Sequence, residues 1–393
     1  MTTSAQGRAT ATRSPAGRPA DVSARPAARV LSTRELNRAV LERQLLLRRA
    51  DLPVLTAVER LLGLNAQAPN VPYLALWSRL ERFTIGDLTA AVEDRSLVRS
   101  PLMRATQHIV TVPDFRLVRP ALGPLLRRVQ RNAFGSRTAG VDLDALVAEA
   151  AELLAGGTVI TRPDLGRLLA RRRPGADAGA LGWSVQYLMP VVHPAPSGTW
   201  NVRGATPYAC AAWTGVRPDP TEGDLRLLVR RYLAAFGPAS VADARAWSGL
   251  SGLPEVFDRM RPELRTYADE SGRELFDLPD APLPDPGTPA PVRFLPEFDA
   301  PLLAYADRTR MMTDEIRRRV CVGDAVAATV LVDGTVAATW TRTRTGGAVT
   351  LTVEPLRPLP PSTHDTIEAE ATRLLAFTDP GAGERRVHLS SDR

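Results

Sequence analysis

The stretch LLGLNAQAPNVPYLALWSRL, Leu61–Leu80, joins two apolar helical segments across a polar break. The first segment stops at Gly63, and Asn70-Val71-Pro72 is typical of the start of the next helix. Between them lie two neutral amides, Asn65 and Gln67, in a segment that the break predicts to be a loop. In an extended loop, residues i and i+2 point to one face, so we expect the two amides to lie side by side.

The segments around this stretch predict a helical unit closed by two strands. Its predicted helices are 36–49, 54–62, a third that starts at residue 70, and 85–93, and its predicted strands are 97–99 and 108–112. Helices followed by a strand pair are the outline of a winged helix.

This order of elements recurs twice along the chain. The second copy closes with predicted strands at 191–193 and 199–202, and the third with a hairpin of 264–268 and 274–278. A proline-rich linker over 279–291 precedes a β-rich end, where Asp333-Gly334 is a strong two-residue hairpin signal. The predicted fold class is α+β, mainly helical, with three tandem winged-helix units and a small C-terminal β-sheet that carries a protruding hairpin.

The predicted domain boundaries follow from these repeats. They are a disordered basic leader at 1–29, a first winged helix with the amide loop at 30–135, a second at 136–218, a third at 219–285, and the β-sheet and hairpin domain at 286–393. The leader is rich in Ala, Arg, Ser, Thr and Pro and has no apolar core, which argues against a signal peptide.

The charge of the chain is carried on its basic side by arginine alone. The 393 residues include 50 basic and 43 acidic side chains, net +7, and none of the basic ones is lysine. An arginine-rich surface suits phosphate contacts, although a GC-rich genome accounts for the bias equally well. The absence of lysine excludes chemistry that needs a lysine Schiff base.

Several other classes of protein are disfavoured by the sequence. The chain has no apolar run of the roughly 18–20 residues that span a bilayer, so no membrane segment is expected. Its two cysteines lie far apart, as expected of reduced cysteines in the cytoplasm. We therefore predict a cytoplasmic protein that is associated with the nucleoid. The four histidines share no metal-ligand spacing, and a glycine-rich phosphate loop and a nucleophile elbow are both missing. We therefore expect neither a metal nor a cofactor.

Six stretches of the chain carry a resemblance to a known family. They are LNRAVLERQLLL at 36–47, GLNAQAPNVPYLALWSRL at 63–80, PLMRATQHIVTVPDF at 101–115, RYLAAFGPASVADARAWSGL at 231–250, FLPEFDAPLLAYADRTRMM at 294–312 and VLVDGTVAATW at 330–340. With these stretches in order, the chain resembles the AlkZ-type bacterial DNA glycosylases, a superfamily of tandem winged-helix proteins. The resemblance covers nearly everything from about Leu31 to the C-terminus.

The resemblance implies a catalytic motif at the amide loop. Family members carry Gln-x-Gln or Gln-x-Asp there, so Asn65 and Gln67 are the candidate catalytic residues, with Asn65 one methylene shorter than the family's Gln. The segment MRATQH at Met103–His108 also differs from the Arg-Gly-Thr-Leu-His that is usual in the family. A family hairpin that probes the DNA groove has its counterpart at 326–341.

The resemblance also implies a substrate class. Family members excise bulky or N7-alkylated purines, some unhook interstrand crosslinks, and several protect producers of DNA-alkylating compounds. An N7-alkylated purine is already cationic, so its glycosidic bond is weakened and the enzyme has mainly to place a water molecule. Two amides are adequate for that task, because each can orient water through hydrogen bonds.

We therefore predict a monofunctional DNA glycosylase that acts as a monomer on double-stranded DNA carrying alkylated bases. The predicted DNA contacts are Arg308, Arg310, Arg342 and Arg344, and a weaker prediction places Tyr73, Trp77 and His108 in the substrate cleft. The alternatives are that these arginines are solvated charges, that Tyr73 and Trp77 belong to the core, and that the two amides only stitch the loop. A non-catalytic DNA-binding protein, or a protein-interaction scaffold, is the alternative function.

Overall fold

The structure is a computed structural model that describes residues 1–2 and 29–390. The leader predicted over 1–29 falls, apart from its ends, outside the described residues. The architecture is mixed α+β, and the described part of the chain contains fourteen α-helices. Within that part, every helix is too short or too polar to cross a membrane.

The first unit surrounds the amide loop. Its elements are β1 Val30–Leu31, α1 Thr33–Arg43, α2 Val54–Arg60, β2 Leu64–Asn65, α3 Val71–Arg79, α4 Ile85–Glu93, β3 Leu97–Pro101 and β4 Gln107–Thr111. In its antiparallel sheet β4 lies between β2 and β3. The predicted helix 85–93 and the predicted strand pair are confirmed.

The first helix is shorter than its apolar pattern predicts. Ser32 and Glu35 form a capping box that starts α1, and the helix ends at Arg43 rather than Arg49. Leu45 adopts a positive φ of 58°, which a continuing helix does not allow. The apolar residues that follow are buried in a tight turn instead.

The second unit repeats the order of the first. Helices α5 Val112–Ala121 and α6 Gly123–Phe134 complete the first unit, and the elements of the second are α7 Leu143–Leu153, β5 Ile160–Thr161, α8 Arg162–Arg171, α9 Ala178–Leu188, β6 Val191–Val192 and β7 Pro207–Cys210. The strand β7 lies between β5 and β6. The predicted strand at 199–202 is wrong, because the amides of Ser197 and Thr199 turn back onto the carbonyls of Pro194 and Pro196.

The third unit has the same connectivity again. Its elements are α10 Glu222–Phe236, α11 Val241–Ser248, α12 Leu253–Met260, β8 Arg265–Asp269 and β9 Glu274–Asp277. The hairpin of β8 and β9 confirms the prediction. A single bridge between Ala239 and Phe276 takes the place of the first strand. The sheet differs from the other two, because β1 of the first unit pairs parallel with β8 and the strand order is β1-β8-β9.

The C-terminal region is a five-stranded sheet covered by a helix. Its elements are β10 Arg293–Leu295, α13 Asp314–Val320, β11 Cys321–Val322, β12 Ala325–Val326, β13 Thr329–Val332, β14 Thr335–Thr345, β15 Ala348–Pro355, α14 His364–Thr378 and β16 Glu384–Leu389. The strand order is β10-β13-β14-β15-β16. The last strand pairs parallel with β15 and was missing from the prediction.

The hairpin turn at Asp333-Gly334 forms as predicted but does not protrude. It is docked on α1, where Asn37 Nδ2 donates to Gly334 O at 2.8 Å and Arg34 Nη1 donates to Asp333 Oδ2 at 2.8 Å. The hairpin that reaches into solvent is instead the next one, β14–β15, whose tip over 341–347 is exposed.

Apolar cores show how the parts are joined. The largest core combines side chains of the first and third units with the C-terminal region, and another joins α3 and α4 to the C-terminal sheet. The second unit has a smaller core of its own around Leu165 and Leu181. The amide loop therefore stands where the first unit meets its neighbours.

Candidate active site

The amide loop begins at a glycine that no other residue can replace without strain. Gly63 has a φ of +92°, and a Cβ placed there would lie 2.5 Å from Val110 Cγ1. This close approach lets β2 pair with β4, so that Asn65 stands opposite His108. The sequence Leu-Gly-Leu-Asn therefore turns the end of α2 directly into a strand.

Backbone groups hold the loop through both amide side chains. Asn65 Oδ1 accepts from Gln67 N at 3.0 Å, and Gln67 Oε1 accepts from Gln107 N at 2.9 Å. Because a backbone N–H needs an acceptor, these bonds fix which side-chain atom is oxygen. Neither amide nitrogen donates a hydrogen bond to any residue in the described part of the chain, so two NH₂ groups remain for a ligand or water.

The two amides line different spaces, so the common face expected from i, i+2 spacing is not observed. Asn65 is 6% exposed and faces a narrow space of ≈10 Å³ that it shares with His108 and Arg104. That volume is about what one water molecule needs. Gln67 is exposed and lines a cavity of ≈470 Å³ on the side of the second unit.

His108 is a neutral acceptor beside Asn65. Its Nδ1 lies 2.9 Å from Thr106 O, which can only accept, so the proton is on Nδ1 and Nε2 is left as an acceptor. Burial, reinforced by the charge of Arg104, lowers the pKa of His108 to about 3. His108 was predicted to line the substrate cleft, and its buried side chain lines the ≈10 Å³ space beside Asn65.

Arg99 supports the loop from the opposite face of the sheet. Its Nη2 and Nε donate to Ala66 O at 2.9 and 3.2 Å, and its Nη1 lies 3.2 Å from His193 Nδ1. Since the guanidinium is always a donor, His193 Nδ1 accepts and its buried Nε2 carries a proton without a partner in the described residues. Burial lowers the pKa of Arg99 to about 10.

The far end of the loop is tied to the second unit. Asn70 Nδ2 donates to Asn201 Oδ1 at 2.8 Å, and Asn201 N donates to Asn70 Oδ1 at 2.8 Å. Beyond this tie a wide cleft of ≈790 Å³ opens between the loop, the second unit and the C-terminal sheet. Pro69 and Arg203 line both this cleft and the cavity at Gln67, so the two spaces adjoin.

Two aromatic residues predicted in the substrate cleft belong to the core. Tyr73 is fully buried, and its hydroxyl lies 2.9 Å from Thr89 Oγ1. Trp77 packs against Phe377 with ring centroids 6.1 Å apart. Their helical spacing is that of an apolar face packed on the C-terminal sheet. The alternative prediction, that Tyr73 and Trp77 are core residues, is therefore the correct one.

The four predicted DNA contacts separate into exposed and buried arginines. Arg310 is 5% exposed and donates to Pro238 O at 2.9 Å, so it is unavailable to a phosphate and the prediction for it is corrected. Arg308 is half-buried, with Nη1 3.3 Å from Cys321 Sγ. Arg342 and Arg344 lie on the exposed hairpin and both bind Asp379, at 2.5 and 2.9 Å. Arg342 also lines the wide cleft.

Three residues at the site were missed in the sequence: Arg99, Gln107 and Arg203. Gln107 lies where the family has Leu, and its buried Oε1 has no partner among the described residues. This replacement of an apolar residue by an amide was the available signal. Nothing in the sequence around Arg99 or Arg203 distinguishes them from the other arginines.

A family profile and a solved structure both match this chain. The profile described as "DNA glycosylase AlkZ-like" matches residues 58–377. Among solved structures, the DNA glycosylase AlkZ of Streptomyces sahachiroi matches with a TM-score of 0.73 and 22% identity, over 92% of this chain and 100% of that one. At that identity the likeness shows the fold. No curated protein matches the chain.

Proposed function

The chain belongs to the AlkZ-like DNA glycosylase family, and on that premise we propose that it hydrolyses the N-glycosidic bond of bulky N7-alkylated purines in double-stranded DNA. The observation that carries the proposal is the pair of amide NH₂ groups at Asn65 and Gln67 that no described residue occupies. Both stand on a loop fixed by backbone bonds, as a water-positioning site requires.

The chemistry asked of these residues is modest. An N7-alkylated purine leaves as a neutral base, so it needs little proton donation, and the sugar passes through an oxocarbenium-like state. Gln67 then orients water in the cavity that it lines, and the neutral His108 accepts a hydrogen bond from a water held at Asn65. The chain has no lysine to form a Schiff base, which supports a monofunctional reaction without lyase activity.

The cleft beside the loop supports the preference for bulky adducts. Its ≈790 Å³ is bordered by apolar side chains such as Leu74 and Phe298 and by the cations Arg203, Arg319 and Arg342. A large N7 substituent finds apolar contact there while the backbone meets positive charge. An open cleft also avoids the cost of flipping a bulky nucleotide fully into a tight pocket.

The repeated connectivity supports the proposed domain division. In the first two units the last strand lies between the other two, and in the third β9 lies between β8 and a single bridge at Ala239, with β1 added on the other side of β8. We interpret the three as winged helices at 30–135, 136–218 and 219–285, with the sheet domain at 286–393, working as a monomer on nucleoid DNA in the cytoplasm. The biological role that we propose for the protein is DNA repair or self-resistance to a DNA-alkylating compound.

The test of the proposal is release of free base. Purified protein is incubated with duplexes that contain N7-methylguanine, a bulky N7-alkylguanine or an N7-linked interstrand crosslink, and released bases are identified by mass spectrometry. We expect release of the bulky adduct, and the crosslinked duplex tests unhooking in the same assay. Absence of release from all three substrates would overturn the proposal.

A second candidate is a non-catalytic DNA-binding protein that shields lesions. It is favoured by one observation, the use of Asn65 Oδ1 to bond the Gln67 backbone within a buried space. On this candidate, the wild type binds adducted DNA without base release, and Asn65→Gln gains excision by restoring the longer amide. Excision by the wild type rejects it.

A further inference from the structure

Arg99 is a buried cation whose hydrogen-bond partners are all neutral. They are Ala66 O, His193 Nδ1 and Ser197 Oγ. Buried charges in proteins are normally paired, because an unpaired charge loses its hydration without compensation. In this protein Arg43 and Arg79 are also buried, and each donates to both oxygens of an aspartate.

Arg119, Arg310 and Arg104 also lack a carboxylate bond but differ from Arg99 in what they face. Arg119 is buried against the protein and donates to Tyr187 O at 3.4 Å. Arg310 borders a cavity with Asp243, Asp269 and Asp307, which supply nearby negative charge. Arg104 faces the ≈10 Å³ space, which has no room for an anion larger than water. Arg99 instead borders a cavity of ≈470 Å³.

No acidic residue lines this cavity, and a second cation does. Arg203 is exposed and makes no hydrogen bond or ion pair with any residue that the structure describes. The backbone at Gly198 packs directly against the aliphatic part of the Arg99 side chain, since a Cβ there would lie 2.6 Å from Arg99 Cδ. Its φ of +82° also favours glycine. The Arg99 guanidinium is thereby held at the cavity wall.

The geometry points to this cavity as a binding site for a phosphodiester of the DNA backbone, held between Arg99 and Arg203. The inference rests on the proposed function, which supplies the DNA. Gln67 lines the same cavity, so the bound phosphate lies at or next to the target nucleotide. It gives Arg99 its missing counter-charge.

The same guanidinium connects the phosphate to the amide loop. Arg99 donates two bonds to Ala66 O, and Ala66 lies between Asn65 and Gln67. The described bonds use four of the five N–H groups of Arg99, so a phosphate that binds the remaining Nη2 N–H fixes the loop when DNA is bound. Arg99 acts in this scheme as a positioning residue as well as an anion ligand.

The first test measures how affinity for an undamaged duplex depends on NaCl concentration. The wild type is compared with Arg203→Gln and with Arg265→Gln, a matched control at an exposed arginine of β8 that has no carboxylate partner in the described chain. We expect the slope of log affinity against log salt to fall by about one for Arg203→Gln and to stay unchanged for the control. A wild-type slope in Arg203→Gln overturns the site.

The second test separates the charge of Arg99 from its grip on the loop. Arg99→Gln removes the charge, and its slope should also fall by about one. Arg99→Lys keeps the charge but lacks the planar fork that bridges two partners, so it should keep the salt slope and lose excision rate at saturating DNA. Equal salt slopes in Arg99→Gln and wild type contradict the inference.

The third test distinguishes a DNA phosphate from free phosphate. A neutral methylphosphonate is moved one linkage at a time around the adduct. At one position the methylphosphonate should weaken the binding of wild-type protein by about tenfold. The same duplex should bind Arg203→Gln almost as well as the unmodified duplex does, because that variant has already lost the contact. Absence of any such linkage overturns the assignment. So does inorganic phosphate that binds the wild type more tightly than Arg203→Gln without displacing DNA, because the site then holds free phosphate while DNA is bound elsewhere.

The outcomes keep the site and the activity apart. Binding is measured on undamaged DNA and needs no excision. An inert protein whose slopes fall as described rejects the proposed activity and retains the site, whereas an active enzyme with unchanged slopes rejects the site alone.

Discussion

Arg79 at the end of α3 and Arg99 on β3 are both buried arginines of the first unit, yet they have opposite surroundings. Arg79 donates to both oxygens of Asp299, at 2.6 and 3.0 Å, and links α3 to the segment after β10. Arg99 holds only neutral groups and faces a cavity. The difference shows that Arg79 joins parts of the fold, whereas Arg99 has no counter-charge in the described chain and borders a cavity where a ligand can supply one.

The largest expected effect is the loss of stability when the ion pair of Arg79 and Asp299 is broken. Asp299→Ala leaves Arg79 buried without its counter-charge and should lower the free energy of unfolding by about 3–5 kcal/mol. Urea denaturation measures the change. The control Asp314→Ala removes an exposed partner of Arg317 and should stay within about 0.5 kcal/mol of wild type. Similar losses in the two variants would contradict the structural role of the pair.

The two buried histidines near the amide loop, His108 and His193, should make the protein less stable at acidic pH. Burial and the charges of nearby arginines hold the pKa of His108 at about 3 and that of His193 well below its usual value, while the unfolded chain binds these protons near pH 6.5. As pH falls below about 6.5 the unfolded state takes up protons first, so stability decreases. Each histidine contributes a slope of up to about 1.4 kcal/mol per pH unit.

Urea denaturation between pH 7 and pH 4 checks this prediction. His108→Gln should flatten the slope by one histidine's share, and the wild-type excision rate should show no step near pH 6.5 from His108, because that residue stays neutral in the folded state. An unchanged slope in His108→Gln would mean that the folded histidine titrates normally.

A smaller effect on stability is expected for Arg99. Arg99→Gln removes an unpaired charge along with its bonds to Ala66 O, so it should cost only about 1–2 kcal/mol, less than Asp299→Ala. Its effect on excision should be larger than its effect on folding, because the loop loses its support. Thermal unfolding and single-turnover excision are measured on the same preparation. A stability loss equal to that of Asp299→Ala would remove the distinction between the two regions.

The smallest effect distinguishes an exposed from a buried predicted contact. Arg344 is exposed on the β14–β15 hairpin, so Arg344→Gln should weaken DNA affinity several-fold and change the free energy of unfolding by less than about 0.5 kcal/mol. Arg310→Gln should do the reverse, lowering stability without changing the salt dependence of binding. Competition binding and denaturation of both variants check the pair, and an affinity loss in Arg310→Gln alone would refute the correction.

Local signals in the sequence sufficed for many elements. Helix α4, the hairpin of β8 and β9 and the Asp333-Gly334 turn depend on neighbours in the chain, and each was predicted. Where the turn lies could not be predicted, because its docking depends on Arg34 and Asn37, about 300 residues away. The strand β7 was missed because the segment before it turns on proline carbonyls rather than pairing.

The site was predictable in part for the same reason. The amide loop could be located from the family motif and the break at Gly63, but the separation of Asn65 from Gln67 follows from pairing with β4 and contacts with other units. Arg308 and Arg310 are two residues apart and differ in burial. Whether an arginine has a carboxylate partner depends on residues such as Asp299, which lies 220 positions from Arg79.

The most direct test of the account is the single-turnover excision of a bulky N7-alkylguanine by Gln67→Ala, with DNA affinity measured in parallel. Gln67 is exposed, so the variant should fold normally and bind DNA as the wild type does. We expect a rate at least about 100-fold lower, because water is no longer oriented beside the sugar. A wild-type excision rate in Gln67→Ala would contradict the assignment of the amide loop as the active site.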